Sequence, residues 1–188
     1  MPRMLSLSLI ALCTGAPERR AERFAAWLIS AMDAYAITTP LRQAAFLAQV
    51  GHESQGLLYT SELWGPTPAQ RGYEGRVDLG NTHPGDGFKY RGHGLIQTTG
   101  RENHAAVRDR LRVRFGTRVP DFVVLPEKLC EPEWAAYSAA DFWDMKKLNP
   151  LADAGAFFEI TRRINGGRNG LEDRLRRYEV AKEALGVA

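Results

Sequence analysis

Apolar positions recur at helical spacing through most of this chain, and one long central stretch breaks the pattern. Phe24, Trp27, Leu28, Ala31, Met32 and Tyr35 fall along a single helical stripe. Leu41–His52 is apolar almost all round, which predicts a central, buried helix. Thr38-Thr39-Pro40 precedes it and supplies a polar cap with a proline suited to the first helical turn. Upstream, Leu5–Cys13 reads as a first helix that stops at Gly15, and Pro17 opens the next. Helical patterning returns over 101–114 and over Glu131–Met145, with Ala135, Ala139, Phe142 and Trp143 inward. It continues over Ala154–Ile164, where Phe157, Ile160 and Ile164 share a face and Asn165-Gly166-Gly167 makes the stop. A last helix over 170–185 has Leu171, Leu175, Tyr178 and Leu185 as its stripe. Pro120–Pro126 is a connector.

Residues 54–100 follow neither period. Glycine and proline punctuate them from Gly56 to Gly100, which predicts loops with a short hairpin or two. A loop region this long inside a compact domain is usually functional. The expected architecture is mainly α, a helical bundle around a cleft with a glycine-rich loop and short hairpin as one wall.

Two glutamates mark the junction of these regions. Glu53 shares a helix face with Phe46 and Val50, so it points the way core residues point. Burial there disfavours the charged carboxylate and suits a general acid. Glu62, between Ser61 and Leu63-Trp64, sits in a loop where it should stay ionised and could activate water. One protonated and one ionised carboxyl are the parts of a glycosidase. Downstream, Tyr90-Arg91-Gly92-His93-Gly94-Leu95-Ile96-Gln97-Thr98-Thr99-Gly100 is the most specific local run. Its glycines let backbone approach a ligand, and Gln97 and Thr99 offer hydrogen bonds to sugar hydroxyls or a held water.

Other chemistries lack their motifs. His52, His83, His93 and His104 have no metal spacing, and His52-Glu53 lacks the second histidine of a zinc-protease helix. No phosphate loop, dinucleotide fingerprint or nucleophile elbow is present, so neither metal nor cofactor is expected.

Composition narrows the picture further. At 188 residues the chain reads as one domain spanning 1–188, with 44% hydrophobic and 25% charged residues, as in soluble globular proteins. The net charge of +3 is uneven: Arg101, Arg108, Arg110, Arg112, Arg114 and Arg118 stand against Glu102 and Asp109. Such a segment is either a polyanion-binding face or a solvated helix face. No recognition motif supports nucleic acid as a partner. Cys13 and Cys130 form no disulfide framework and fit folding in a reducing compartment. Arg3 and the apolar run after it have some leader character, but two serines interrupt the run and no convincing cleavage site follows. No other run approaches the length of a membrane span.

Ala45-Phe46-Leu47-Ala48-Gln49-Val50-Gly51-His52-Glu53-Ser54 resembles the catalytic-acid helix of family 19 glycoside hydrolases, the plant-type chitinases. Gly92-His93-Gly94-Leu95-Ile96-Gln97-Thr98-Thr99 resembles their substrate wall, and Ile164-Asn165-Gly166-Gly167 with Asp173-Arg174 resembles their C-terminal motifs. The short loops and Gly80–Gly87 are closer to the bacteriophage and prophage endolysin branch. The resemblance runs over residues 20–185.

It implies a lysozyme-like α+β fold and inverting hydrolysis of β-1,4 bonds between amino sugars. Glu53 matches the general acid, Glu62 the general base, and Thr99 the hydroxyl that holds the attacking water. His52, Tyr90, Gln97, Asn103, Asn165 and Arg174 form the expected substrate-binding set, with His52 and Arg174 also supporting the carboxyl network. His93, Leu95 and His104 depart from the family's usual Arg, Pro and aromatic residue. Peptidoglycan is the expected substrate and chitin the alternative; an inactive glycan-binding module is disfavoured because both carboxylates are kept. The expected protein is a monomeric, bacteriolytic endolysin, held in the host cytoplasm until holin-type release lets it reach the wall.

Overall fold

The structure, a computed structural model, describes residues 5–187. Its helices are, in chain order, α1 (Leu7–Thr14), α2 (Glu18–Ala21), α3 (Ala25–Ala34), α4 (Pro40–Glu53), α5 (Pro68–Arg71), α6 (Asp86–Lys89), α7 (Arg101–Phe115), α8 (Pro132–Met145), α9 (Asn149–Asp153), α10 (Phe157–Asn165) and α11 (Leu171–Leu185). They divide into two compact units. One is built from the chain up to Leu58 and its return from Phe142; the other is Tyr59–Asp141. Among the described residues, no helix is long and apolar enough to cross a membrane.

In the first unit α4 is central and packs chiefly against α11 and α1. Its start is the expected one: the Thr39 side chain accepts from the Arg42 N–H, and Pro40 fills the first turn. Every residue from Ala44 to Gly51 is buried, as the all-round apolar pattern predicts. The small residues matter as much as the large ones. A Cβ on Gly51 would lie 2.4 Å from the Thr14 carbonyl oxygen, so α1 sits backbone-close on α4 there. Phe46 meets Trp143 edge to face at 5.5 Å, and Phe157 stacks on Tyr178 at 4.1 Å.

Several expected stripes shift. Trp27 is 38% exposed, so the α3 stripe runs through Phe24, Leu28, Ala31, Met32 and Tyr35 without it. The helix expected over Ala154–Ile164 starts only at Phe157, as α10; Gly155, whose φ of 65° is open to glycine and strained for other residues, separates it from α9, a short helix the pattern did not mark. On α11 the buried line is Arg174, Tyr178, Ala181 and Leu185, while Leu175 is 39% exposed.

The second unit holds the glycine-rich stretch. The expected hairpins reduce to two isolated antiparallel bridges, Ser61 with His93 and His93 with Thr98. Around them lie the short helices α5 and α6 and a 3₁₀ turn at Val77–Leu79. The arginine run on and after α7 is largely neutralised within this unit. Arg101 pairs with Asp86, Arg108 with Asp109 and Asp121, Arg110 with Asp141, and Arg118 with Glu133.

Candidate active site

Glu53 is the last residue of α4. Its expected apolar surroundings are instead an ion pair: Glu53 Oε1 accepts from Arg174 Nη2 at 2.6 Å. Arg174 is buried, and such a charge needs partners on every side. Its Nη1 donates to Gln49 Oε1, and its Nε donates to the Asn169 carbonyl at 3.2 Å. The Gln49 amide in turn donates to Thr161 Oγ1 at 2.8 Å. A buried relay, Thr161–Gln49–Arg174, therefore ends on one oxygen of Glu53. Oε2 has no protein partner among the described residues.

His52 precedes Glu53 and pairs through Nδ1 with Asp173 Oδ2 at 2.7 Å. Burial would raise the Asp173 carboxyl, but hydrogen bonds from Arg177 and His52 outweigh it and hold the group below the usual range. Gly170 lets the backbone lie against the His52 ring, since a Cβ there would be 2.3 Å from Cε1. Asn165 spends its amide locally: Nδ2 donates to the Asn169 carbonyl and Oδ1 accepts from Gly167 N–H, both at 2.8 Å. His52, Glu53, Asn165 and Arg174 thus belong to one unit.

Glu62 belongs to the other, and it is gripped rather than loosely solvated. Oε1 accepts from Gln70 Nε2 at 3.0 Å and from the Tyr73 hydroxyl at 3.3 Å, while Oε2 accepts from Gly92 N–H at 3.0 Å. Burial and the Glu62 charge push the Tyr73 phenol up, which keeps its proton in place. Gln70 is fixed by the α5 capping box with Thr67 and also donates to the Leu63 carbonyl at 2.7 Å. Three donors on its two oxygens fix the position of the Glu62 carboxyl.

The wall residues divide. Gln97 takes a left-handed φ of 48°, and its side chain donates to the Gly94 carbonyl at 2.8 Å. The Thr99 hydroxyl donates to the Gln97 carbonyl at 3.0 Å and leaves its lone pairs unused. Thr99 does not cap α7; Gly100 stands at the cap, without a side-chain bond. Asn103 Nδ2 returns to the Thr99 carbonyl at 2.7 Å. Tyr90 is corrected: it is fully buried, with its hydroxyl donating to the Val123 carbonyl at 2.7 Å, so it supports the wall from behind instead of contacting substrate.

His93 and His104, the departures from the family pattern, pair with each other. His104 Nδ1 sits 2.8 Å from the Gly100 carbonyl, and His104 Nε2 sits 3.0 Å from His93 Nδ1. That geometry fixes His104 as an Nδ1–H donor and His93 as donor to its Nε2. Burial lowers both groups, His93 to about 3 and His104 to about 4, with each other's charge and Arg91 adding to the effect at His93. Both thiols are unreactive in kind: burial pushes Cys13 up to about 11, and Cys130 Sγ donates to the Thr60 carbonyl at 2.9 Å. No group of three metal-ligating side chains occurs among the described residues.

Several of these supports were missed in sequence. Gln70 was findable, since Thr67-Pro68-Ala69-Gln70 is a capping box. Gln49 had a signal as the amide inside an all-apolar run. Thr161 and Tyr73 had none.

The fold is mainly helical and holds Glu53 and Glu62 with different kinds of support. A Haemophilus influenzae protein described as a glycosyl hydrolase family 19 domain-containing protein is 34% identical over 166 residues, covering 73% of this chain and 77% of that protein. No family model matches the chain. Among solved structures, chitinase C from Streptomyces griseus HUT6037 is similar at a TM-score of 0.73 and 21% identity, over 97% of this chain and 93% of that one. A bacterial family 19 chitinase is similar at 0.74 and 24%, over 97% and 95%. A mutant chitinase C reaches 0.75 at 21%, over 98% and 93%. At these identities the solved structures establish the fold. The chain belongs to glycosyl hydrolase family 19 and is a chitinase-like glycoside hydrolase.

Proposed function

We propose that the enzyme hydrolyses β-1,4 bonds of peptidoglycan with inversion, Glu53 as general acid and Glu62 as general base. The observation that supports this most is the contrast between the two carboxylates. Glu53 meets one cation through one oxygen and keeps the other for a proton. Glu62 is held by donors on both oxygens, so its charge is stabilised and its position fixed. In this reading Glu53 Oε2–H protonates the leaving glycosidic oxygen. Water donates one hydrogen bond to the free lone pairs of Thr99 and gives its other proton to Glu62 as it attacks. His52 and Asn165 of one unit, and Gln97 and Asn103 of the other, are the groups proposed to bind sugar.

The net charge of +3 suits an anionic wall, where chitin would offer it no charge to meet. Chitin is the second reading, favoured by the likeness to solved chitinases. Mass spectrometry of digested peptidoglycan and N-acetylglucosamine oligomers, with NMR of the first-formed anomer, tests both. We expect muropeptides with a new reducing end and an α product; turnover of chitin oligomers alone removes the peptidoglycan reading, and a β product removes inversion.

We further place the protein among monomeric endolysins of phage or prophage type, made in the host cytoplasm. Two free cysteines fit that compartment. Lysis on induction without any permeabilisation of the inner membrane would contradict it.

A further inference from the structure

One open cavity in the Tyr59–Asp141 unit serves no step above. It encloses about 250 Å³, and its lining includes Phe88, Lys89, Arg91, His93, Val124 and Glu127. Its charged groups have no ion pair among the described residues. Arg76, Arg101, Arg108, Arg110 and Arg118 of this unit each meet a carboxylate. Among the described residues Arg91 meets none: its Nη1 donates to the Phe88 carbonyl at 3.0 Å, and its guanidinium lies 4.3 Å from the Phe88 ring. Among the described residues the Lys89 ammonium has the Tyr90 ring, at 5.2 Å, and no carboxylate. Glu127 has no ion pair either among the described residues. Two cations and an anion therefore share one cavity without neutralising one another.

Its floor is apolar, with Phe88 at 51% and Val124 at 63% exposure. Its position is close to the chemistry. Between Arg91 and His93 stands Gly92, whose N–H holds Glu62 Oε2 at 3.0 Å. A ligand here would lie against the backbone that positions the proposed base.

Two cations, one anion and an apolar floor fit a short zwitterionic peptide with small aliphatic side chains. We propose that this cavity receives the peptide substituent of a peptidoglycan strand, a deepening that rests on the peptidoglycan reading. The peptide carboxylate meets Arg91 and Lys89, its free ammonium meets Glu127, and its methyl groups lie on Phe88 and Val124. A chitin chain carries nothing to fill the cavity.

The test is steady-state kinetics on three substrates: soluble peptide-bearing glycan strands, the same strands stripped of peptide by an amidase, and N-acetylglucosamine oligomers. The Lys89→Gln/Arg91→Gln double variant should raise KM on the peptide-bearing strands about 5–30-fold, the factor for one or two kcal/mol. Its kcat, and its kinetics on the other two substrates, should match wild type. Glu127→Gln gives a second route should the double variant not fold: it should raise KM only while the peptide amine is free, and acetylating that amine should erase the difference. An equal loss on stripped strands, or no change in KM for either variant, overturns the site while leaving the peptidoglycan reading in place. A wild type that cuts the oligomers and neither form of the strands overturns that reading and the site together.

Discussion

The Arg174 guanidinium, only 2% exposed, governs how Glu53 behaves. Among the described residues Glu53 is the carboxylate it meets, so Glu53→Gln removes more than a proton donor. We expect kcat to fall about 10²–10⁴-fold, as for loss of a general acid. We also expect a stability loss below the ~3–5 kcal/mol of a broken buried pair, because a glutamine oxygen still accepts from Arg174. Single-turnover rates and urea midpoints on one preparation check both, and wild-type turnover by a folded variant contradicts the acid assignment. Thr99 presents the complementary case. Its hydroxyl bonds to the carbonyl of Gln97, a residue with φ of 48°, and not to the start of α7. Thr99→Val keeps the shape and removes the group proposed to orient water. A fall in kcat of about 10²-fold is expected, the low end of general-base losses, with the melting temperature little changed. A rate per folded molecule equal to wild type would assign Thr99 a structural part alone.

The α4 helix shows how far pattern can be read and where it stops. Its cap, proline and all-apolar body were legible because each depends on a few neighbouring residues. The inward face of α11 was not. Hydropathy puts Leu175 inside and Arg174 outside, whereas Arg174 is buried because Glu53 and Gln49 satisfy it from far along the chain. A local window cannot contain that partner. The same limit hid the Gln49–Thr161 end of the relay behind Glu53, although the two glutamates themselves stood out. The late start of α10 escaped for a different reason: one glycine, here Gly155, in a helical pattern is tolerated often enough to be read through. What pattern also misses is close backbone approach. Gly51→Ala should gain up to about 1 kcal/mol in helix propensity. It would also drive a Cβ to 2.4 Å from the Thr14 carbonyl, which is backbone and cannot swing aside. Overpacking of that kind costs about 1–3 kcal/mol, so we expect net destabilisation. A melting temperature at or above wild type would show that α1 is free to move off α4.

Over the whole molecule, acid acts on two sets of groups in the same direction. His93 and His104 are held neutral, lowered to about 3 and about 4 chiefly by burial. Unfolded histidine titrates near 6.5. Between those values the unfolded chain binds protons that the native protein refuses, so stability is full above about pH 6.5 and is lost as pH falls through the folded values. Each such proton changes stability by about 1.4 kcal/mol per pH unit, so the pair approaches about 2.7 in mid-window. Arginine hydrogen bonds hold the Asp86 and Asp153 carboxyls below their usual range. Their contribution is present above the unfolded carboxylate value near 3.9 and disappears as they protonate at lower pH. The expected profile of urea stability is therefore flat from pH 8 to 7, sloping from about 6 downward with the histidines, and steeper below about 4 as the carboxylates join. NMR titration of the four imidazoles separates the causes, since those of His93 and His104 should remain neutral at pH 5. Stability that stays level from pH 6 to 4.5, or four imidazoles that all titrate near 6.5, would mean that the buried pair opens to water in solution.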